Sequence, residues 1–180
     1  MGVDITKLTE PMQTKLREFV AACADDPSLT SFGYQVVITE GRRRNIVQAR
    51  YFCHGRTPKE IQAWLDHVKA DGNQIETIKL ALGEFLGLDW DEEKDPRVPG
   101  RIITNALPYT GPHCLGVAFH ARVKLGERVL MDADTPWQTL GKISRRCGLV
   151  WGGDWHLRDL EHHELPKALW PKPEPAQVAA

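Results

Sequence analysis

Gly116-Val117-Ala118-Phe119-His120-Ala121-Arg122-Val123 is the stretch that decides the fold. It reads as a β-strand, and alternation puts Gly116, Ala118 and His120 on one face. Small residues ahead of that imidazole leave room beside the sheet for a metal ion or a substrate. Gly126-Glu127 supplies a turn into a second short strand, Arg128 to Met131. Upstream, Arg101 to Thr104 reads as another short strand, and Tyr34 to Thr39 (YQVVIT), ended by Glu40-Gly41, has the β-branched residues of a further one.

Helical spacing frames these strands. Leu8, Met12, Leu16, Phe19, Val20 and Cys23 recur on one face, with Pro11 in the first turn, which predicts a helix of about four turns. A second helix is expected from Asn45 to His54. At Thr57-Pro58-Lys59-Glu60 the threonine can cap, the proline suits the first helical position, and the glutamate completes a capping box. Ile61, Trp64, Leu65 and Val68 line that helix, and Asp71-Gly72-Asn73 turns the chain. Ile75, Ile78, Leu82, Phe85 and Leu86 line the next helix, so the pair reads as a helical hairpin. The acidic, proline-containing stretch from Asp89 to Gly100 brings the chain back. Pro136 to Arg146 forms a further helix through Trp137, Leu140 and Ile143, closed by two arginines and Gly148. The expected fold class is α+β, a small antiparallel sheet flanked by helices.

Composition excludes several roles. A chain of 180 residues is long enough for one domain with a real core, and its net charge of −1 gives no general attraction to nucleic acid. No apolar run reaches the length of a membrane span, so membrane insertion is not expected. The first residues lack the basic and apolar regions of a signal peptide. Cys23, Cys53, Cys114 and Cys147 are widely spaced, with no C-x-x-C pair, and read as free thiols.

The chemistry gathers in the last third of the chain. His113 stands in a Gly-Pro-containing loop, His120 on its strand, and His162 three residues after Asp159. If residues 162 to 165 form a strand, His162 and Glu164 share a face and His163 points away. Three imidazoles and a nearby carboxylate are what a catalytic zinc needs: three ligands, an open fourth position, and a general base for water. The same residues read alternatively as ordinary surface or hydrogen-bonded histidines and solvated charges. Trp151-Gly152-Gly153-Asp154-Trp155 reads alternatively as a tight turn with aromatic packing.

These residues stand in the register of a known family. Gly111-Pro112-His113-Cys114-Leu115-Gly116-Val117-Ala118-Phe119-His120 resembles the S-x-H-x-x-G-x-A-x-D motif of the zinc D,D-carboxypeptidase and L-alanyl-D-glutamate endopeptidase family, which includes many phage endolysins. The family's W-G-G-D-W is intact at 151–155, and its D/E-x-x-H is Asp159-Leu160-Glu161-His162. Gly41-Arg42-Arg43, Gln48, Gly55-Arg56-Thr57 and the stretch from Pro99 to Asn105 follow its upstream pattern. The resemblance spans residues 8 to 165 in the family's order.

The resemblance implies a zinc-dependent peptidase acting on the peptide stem of bacterial peptidoglycan. His113, His120 and His162 would be the metal ligands and Asp159 the general base. Arg43 would stabilise the oxyanion, with Gln48 and Trp155 as substrate contacts. The aspartate base and the intact tryptophan motif point to the L-alanyl-D-glutamate bond, in phage-mediated host lysis. The alternatives are a D-Ala-D-Ala carboxypeptidase or dipeptidase and a catalytically degenerate wall-binding protein. It further implies a peptidase domain over 1–165 with a helical insertion at 58–98; the tail over 166–180 is expected to be disordered because Pro171-Lys172-Pro173-Glu174-Pro175 onward cannot pack. With no signal-peptide pattern in its first residues, the protein is expected to be made in the host cytoplasm and to reach the wall after release, as a monomer. The departures concentrate on the metal shell. The family's aspartate ligand is His120 here, its serine is Gly111, and its P-H-F-E is Glu161-His162-His163-Glu164. Replacing a carboxylate by imidazole removes one negative charge. Two rival outcomes are a ligand from Asp132 or Asp134 in place of His120, and an inactive site.

Overall fold

In chain order the elements are α1 (Glu10–Ala24), α2 (Pro27–Thr30), β1 (Tyr34–Glu40), α3 (Asn45–Cys53), α4 (Pro58–Val68), α5 (Gly72–Leu86), α6 (Pro112–Leu115), β2 (Ala118–Leu125), β3 (Arg128–Val129), α7 (Trp137–Arg146), β4 (Val150–Trp151) and β5 (His162–Glu164). They come from a computed structural model that describes residues 3–86, 97–130, 133 and 135–171. The fold is α+β, as expected, with helices around a small antiparallel sheet. The chain divides into two units, Met1–Arg42 with Leu115–Ala180, and Arg43–Cys114.

The first unit holds the sheet. Its strands run in the order β1-β2-β5-β4, with β3 paired to the far end of β2. The alternation of β2 is obeyed: Phe119, Ala121 and Val123 are buried in the core, while His120, Arg122 and Lys124 are only half-buried. Met12, Leu16, Phe19 and Cys23 of α1 enter that core, with the Phe19 ring 5.4 Å from Phe119. Each fully buried side chain of this size contributes about 1.5–3 kcal/mol. His163 also faces the core, stacked on Phe119 at 5.0 Å and bonded through Nδ1 to Ser144 Oγ at 2.9 Å. Burial, reinforced by His162 and His120, pushes its pKa down to about 3, so it packs as a neutral ring.

Trp151 of β4 is the largest fully buried side chain of that core, and two glycines make room for it. A Cβ on Gly141 would stand 2.3 Å from its ring, and one on Gly153 2.2 Å. Gly141 lies inside α7, where alanine would ordinarily be favoured by about 1 kcal/mol. Here the overlap wins. Gly141→Ala is expected to destabilise the protein by about 1–3 kcal/mol, the cost of overpacking a filled core. Urea denaturation checks this, and a variant more stable than wild type would refute the slot.

The second unit is built from α3, α4 and α5. Ala49, Phe52, Cys53, Ile61, Leu65, Ile78 and Ala81 form its core with Val98 and Leu107. The capping box at Thr57 and Glu60 is present in both directions. A second reciprocal pair starts α5: Gln74 N donates to Asp71 Oδ1 at 2.9 Å, and Asp71 N donates to Gln74 Oε1 at 3.0 Å. The expected turn at 71–73 is therefore a helix start. The expected pairing of α4 with α5 as a hairpin is also corrected, because α5 packs chiefly against α3.

Other expectations need correction. Arg101 to Thr104 is irregular rather than a strand, and Ile102 and Ile103 are about half exposed. The segment passes so close to Gly55 (φ +70°) that a Cβ there would lie 2.6 Å from Ile102 N. β-Branched residues alone do not make a strand without a partner. His113 lies in the helical turn α6 rather than in a loop, and β4 is a two-residue strand that the sequence pattern does not mark. The part of the tail at 166–171 includes a 3-10 turn at Lys167–Leu169, after which Trp170 Nε1 donates to Leu165 O at 2.8 Å. Residues 172–180, Met131 and most of the Asp89–Gly100 stretch lie outside the described residues. No helix among the described residues is long and apolar enough to cross a membrane.

Candidate metal centre

Strand register assembles the site. On β2 and β5, His120 stands directly opposite His162, Phe119 opposite His163, and Ala118 opposite Glu164. Residues opposite one another in an antiparallel pair share a face, so His120, His162, Ala118 and Glu164 lie together on the side away from the core. Ala118 contributes no bulk there.

The two imidazoles meet at a steep angle, their ring planes 69° apart. His162 Nδ1 lies 3.3 Å from His120 Nε2, and Asp159 Oδ2 lies 3.8 Å from the same His120 nitrogen. Each ring has a carboxylate behind it. Glu164 Oε2 is 2.9 Å from His162 Nε2, and Glu40 Oε2 is 3.3 Å from His120 Nδ1. A carboxylate on the far nitrogen favours the proton there and turns the lone pair of the near nitrogen towards the other ring.

His113 is brought to the same place. It lies in α6, the single turn that precedes Gly116 and β2. Gly116 takes φ +71°, and its carbonyl accepts from Thr9 N at 2.9 Å, which ties this turn to the start of α1. One ring nitrogen each from His113, His120 and His162 lies within 4.8 Å of the others, and His113 and His162 are buried. Three imidazole nitrogens converging in this way, with carboxylates outside them, fit a metal ion.

The tryptophan motif builds the loop that carries Asp159. Trp151 Nε1 donates to Leu160 O at 2.9 Å, and Asp159 N donates to Gly152 O at 3.0 Å. Gly152 is required by contact rather than by φ, since a Cβ there would stand 2.4 Å from Asp159 O. The loop is clamped from the other side, where Ala121 N donates to Glu161 O at 3.0 Å and Arg122 pairs with the Glu161 carboxylate. Within the motif, Asp154 accepts through both carboxylate oxygens from Arg145 Nη1, at 2.9 and 2.8 Å. The Trp155 ring packs 4.8 Å from His162. The stretch is thus both a tight turn and a brace.

Arg43 and Gln48 are together within the second unit. Arg43 Nη1 donates to Gln48 Oε1 at 2.6 Å, and its guanidinium lies 4.7 Å over the Tyr51 ring. Gln48 is buried, and its amide donates to Ala106 O at 2.8 Å. A planar cation held on two sides is a fixed donor. Asp132 and Asp134, the rival ligands, lie outside the described residues. Sequence reasoning missed Glu40 and did not give Glu164 a role. The signal for Glu164 was its shared parity with His162, whereas Glu40 gave none.

No protein-family model matches the chain, and no curated protein matches it. A solved structure, the Serratia marcescens L-Ala D-Glu endopeptidase ChiX, superposes over 90% of this chain and 83% of its own, with a TM-score of 0.44 and 13% sequence identity.

Proposed function

We propose that this protein is a zinc-dependent peptidase that cleaves the peptide stem of bacterial peptidoglycan at the L-alanyl-D-glutamate bond, in phage-mediated lysis of the host. The observation that carries the reading is the convergence of three imidazole nitrogens within 4.8 Å, with a carboxylate beside them. The motif resemblance adds the substrate class. His113, His120 and His162 hold the metal, and three neutral nitrogens with one position left open suit zinc. When bound, zinc supplies a Lewis acid for the scissile carbonyl and acidifies water.

The protein's own groups do the rest. Asp159 takes the proton of the attacking water and passes it to the leaving amine. Arg43, oriented by Gln48, neutralises the charge that develops on the carbonyl oxygen, a task suited to a donor that never loses its proton. Trp155 offers an apolar wall beside His162 for the stem peptide. In this reading residues 1–165 are the peptidase domain and 58–98 an insertion in it.

Purified zinc-loaded protein incubated with cell walls is expected to release new D-glutamate amino termini, and chelation to abolish the release. Stoichiometric zinc with no new termini would overturn the activity. Free D-alanine instead would identify a carboxypeptidase or dipeptidase, and wall binding without hydrolysis a non-catalytic protein.

A further inference from the structure

β1 departs from regular pairing at one place, next to the candidate metal centre. Tyr34 to Ile38 pair in step with Leu125 to Ala121, but the register then shifts and Glu40 falls opposite His120. Without the shift, Thr39 would face His120 and Glu40 would face Phe119. Phe119 is fully buried in the core, so regular pairing would aim a carboxylate into apolar packing. The extra residue instead turns Glu40 onto the face that carries His120 and His162. Bulges that re-aim a side chain beside a functional site are a known use of this defect.

The result is a row of side chains across three strands. Glu40 on β1, His120 on β2 and His162 on β5 stand opposite one another in turn. Glu40 Oε2 is 3.3 Å from His120 Nδ1, and both side chains are largely shielded, with exposures of 27% and 18%. The arrangement mirrors Glu164 behind His162. Two strands therefore supply one carboxylate each to the outer nitrogens of two neighbouring imidazoles.

We infer that Glu40 is the positioning residue of His120, holding the proton on Nδ1 so that Nε2 faces the metal, and supplying from outside the shell the negative charge that an imidazole lacks as a ligand. This inference rests on the reading of His120 as a ligand. A carboxylate ligand brings its own charge and needs no orienting partner, whereas an imidazole has two nitrogens and no charge. An outer carboxylate repairs both deficits, raising ligand basicity and fixing the ring. It also offsets part of the cation's charge in a shielded site.

The test has a metal-free arm and a metal-binding arm. Nitrogen-15 NMR of the metal-free protein at neutral pH is expected to show His120 as the Nδ1–H tautomer, and Glu40→Gln to shift it towards the Nε2–H form. His120 protonated on Nε2 in the wild type overturns the inference without any variant. In competition with a chromophoric chelator, Glu40→Gln is expected to weaken zinc binding about 10- to 100-fold. In the His120→Asp background, removing Glu40 is expected to leave zinc affinity unchanged. An equal loss in both backgrounds, or no loss in either, overturns the inference, because Glu40 would then not act through His120. A wild type that takes up no zinc refutes the metal-site reading itself, and the tautomer still decides where Glu40 holds the proton.

Discussion

His162→Ala is expected to lose zinc and hydrolysis together and to destabilise the protein by about 3–5 kcal/mol, the cost of breaking a buried pair by removing one partner. His162 is buried between two groups: its Nδ1 faces His120 at 3.3 Å, and its Nε2 faces Glu164 at 2.9 Å. Glu164 is only 6% exposed, so deleting the imidazole strands a carboxylate away from water. The metal loss should exceed the roughly 10- to 100-fold effect of removing an outer partner, because a ligand itself is gone. The double variant His162→Leu/Glu164→Leu separates the two consequences. It removes both polar partners and is expected to recover most of the stability while binding no zinc. Urea denaturation and metal analysis of the three proteins check this. A single variant as stable as wild type would mean that the pair contributes nothing to the fold, and one that retains zinc would remove His162 from the shell.

Asp159→Asn is expected to lower turnover by about 10²- to 10⁴-fold, the usual contribution of a general base, with zinc still bound. Asparagine keeps the shape of the side chain and cannot accept the proton. Asp159 is 44% exposed at its side chain, and its loop is pinned through backbone groups: its N–H donates to Gly152 and its carbonyl accepts from His162 N–H at 3.2 Å. The substitution should therefore leave the loop in place and change stability by no more than about 0.5 kcal/mol. Turnover on a soluble stem peptide, beside zinc content and denaturation midpoint, distinguishes a base from a ligand. Full activity would remove Asp159 from the chemistry, and loss of zinc would make it a ligand instead.

Much of the fold is legible where an element is long enough to show a period. α1 has five apolar residues at helical spacing, α4 has its capping box written at Thr57 and Glu60, and β2 alternates over eight residues. β4 is two residues long, too short for any period, and was not foreseen. Arg101 to Thr104 has strand-like residues but no partner among the described residues, and a strand exists only through pairing. The partnership of α5 with α3 rather than α4 alone depends on which apolar faces meet in space. For the site, the parity of His162, His163 and Glu164 follows from sequence, because neighbouring residues on a strand must point to opposite sides.

What the amino-acid sequence determined by itself is the set of local directions: His120 on the face of Gly116 and Ala118, His162 and Glu164 together, His163 on the opposite side from them. What only the tertiary structure decided is which residues stand behind those histidines. By simple alternation Glu40 belongs with Ile38, on the core side of β1. A register shift of one residue between two strands places it opposite His120. Alternation is a property of one strand, set by its own backbone; register belongs to a pair and is fixed only when both pack.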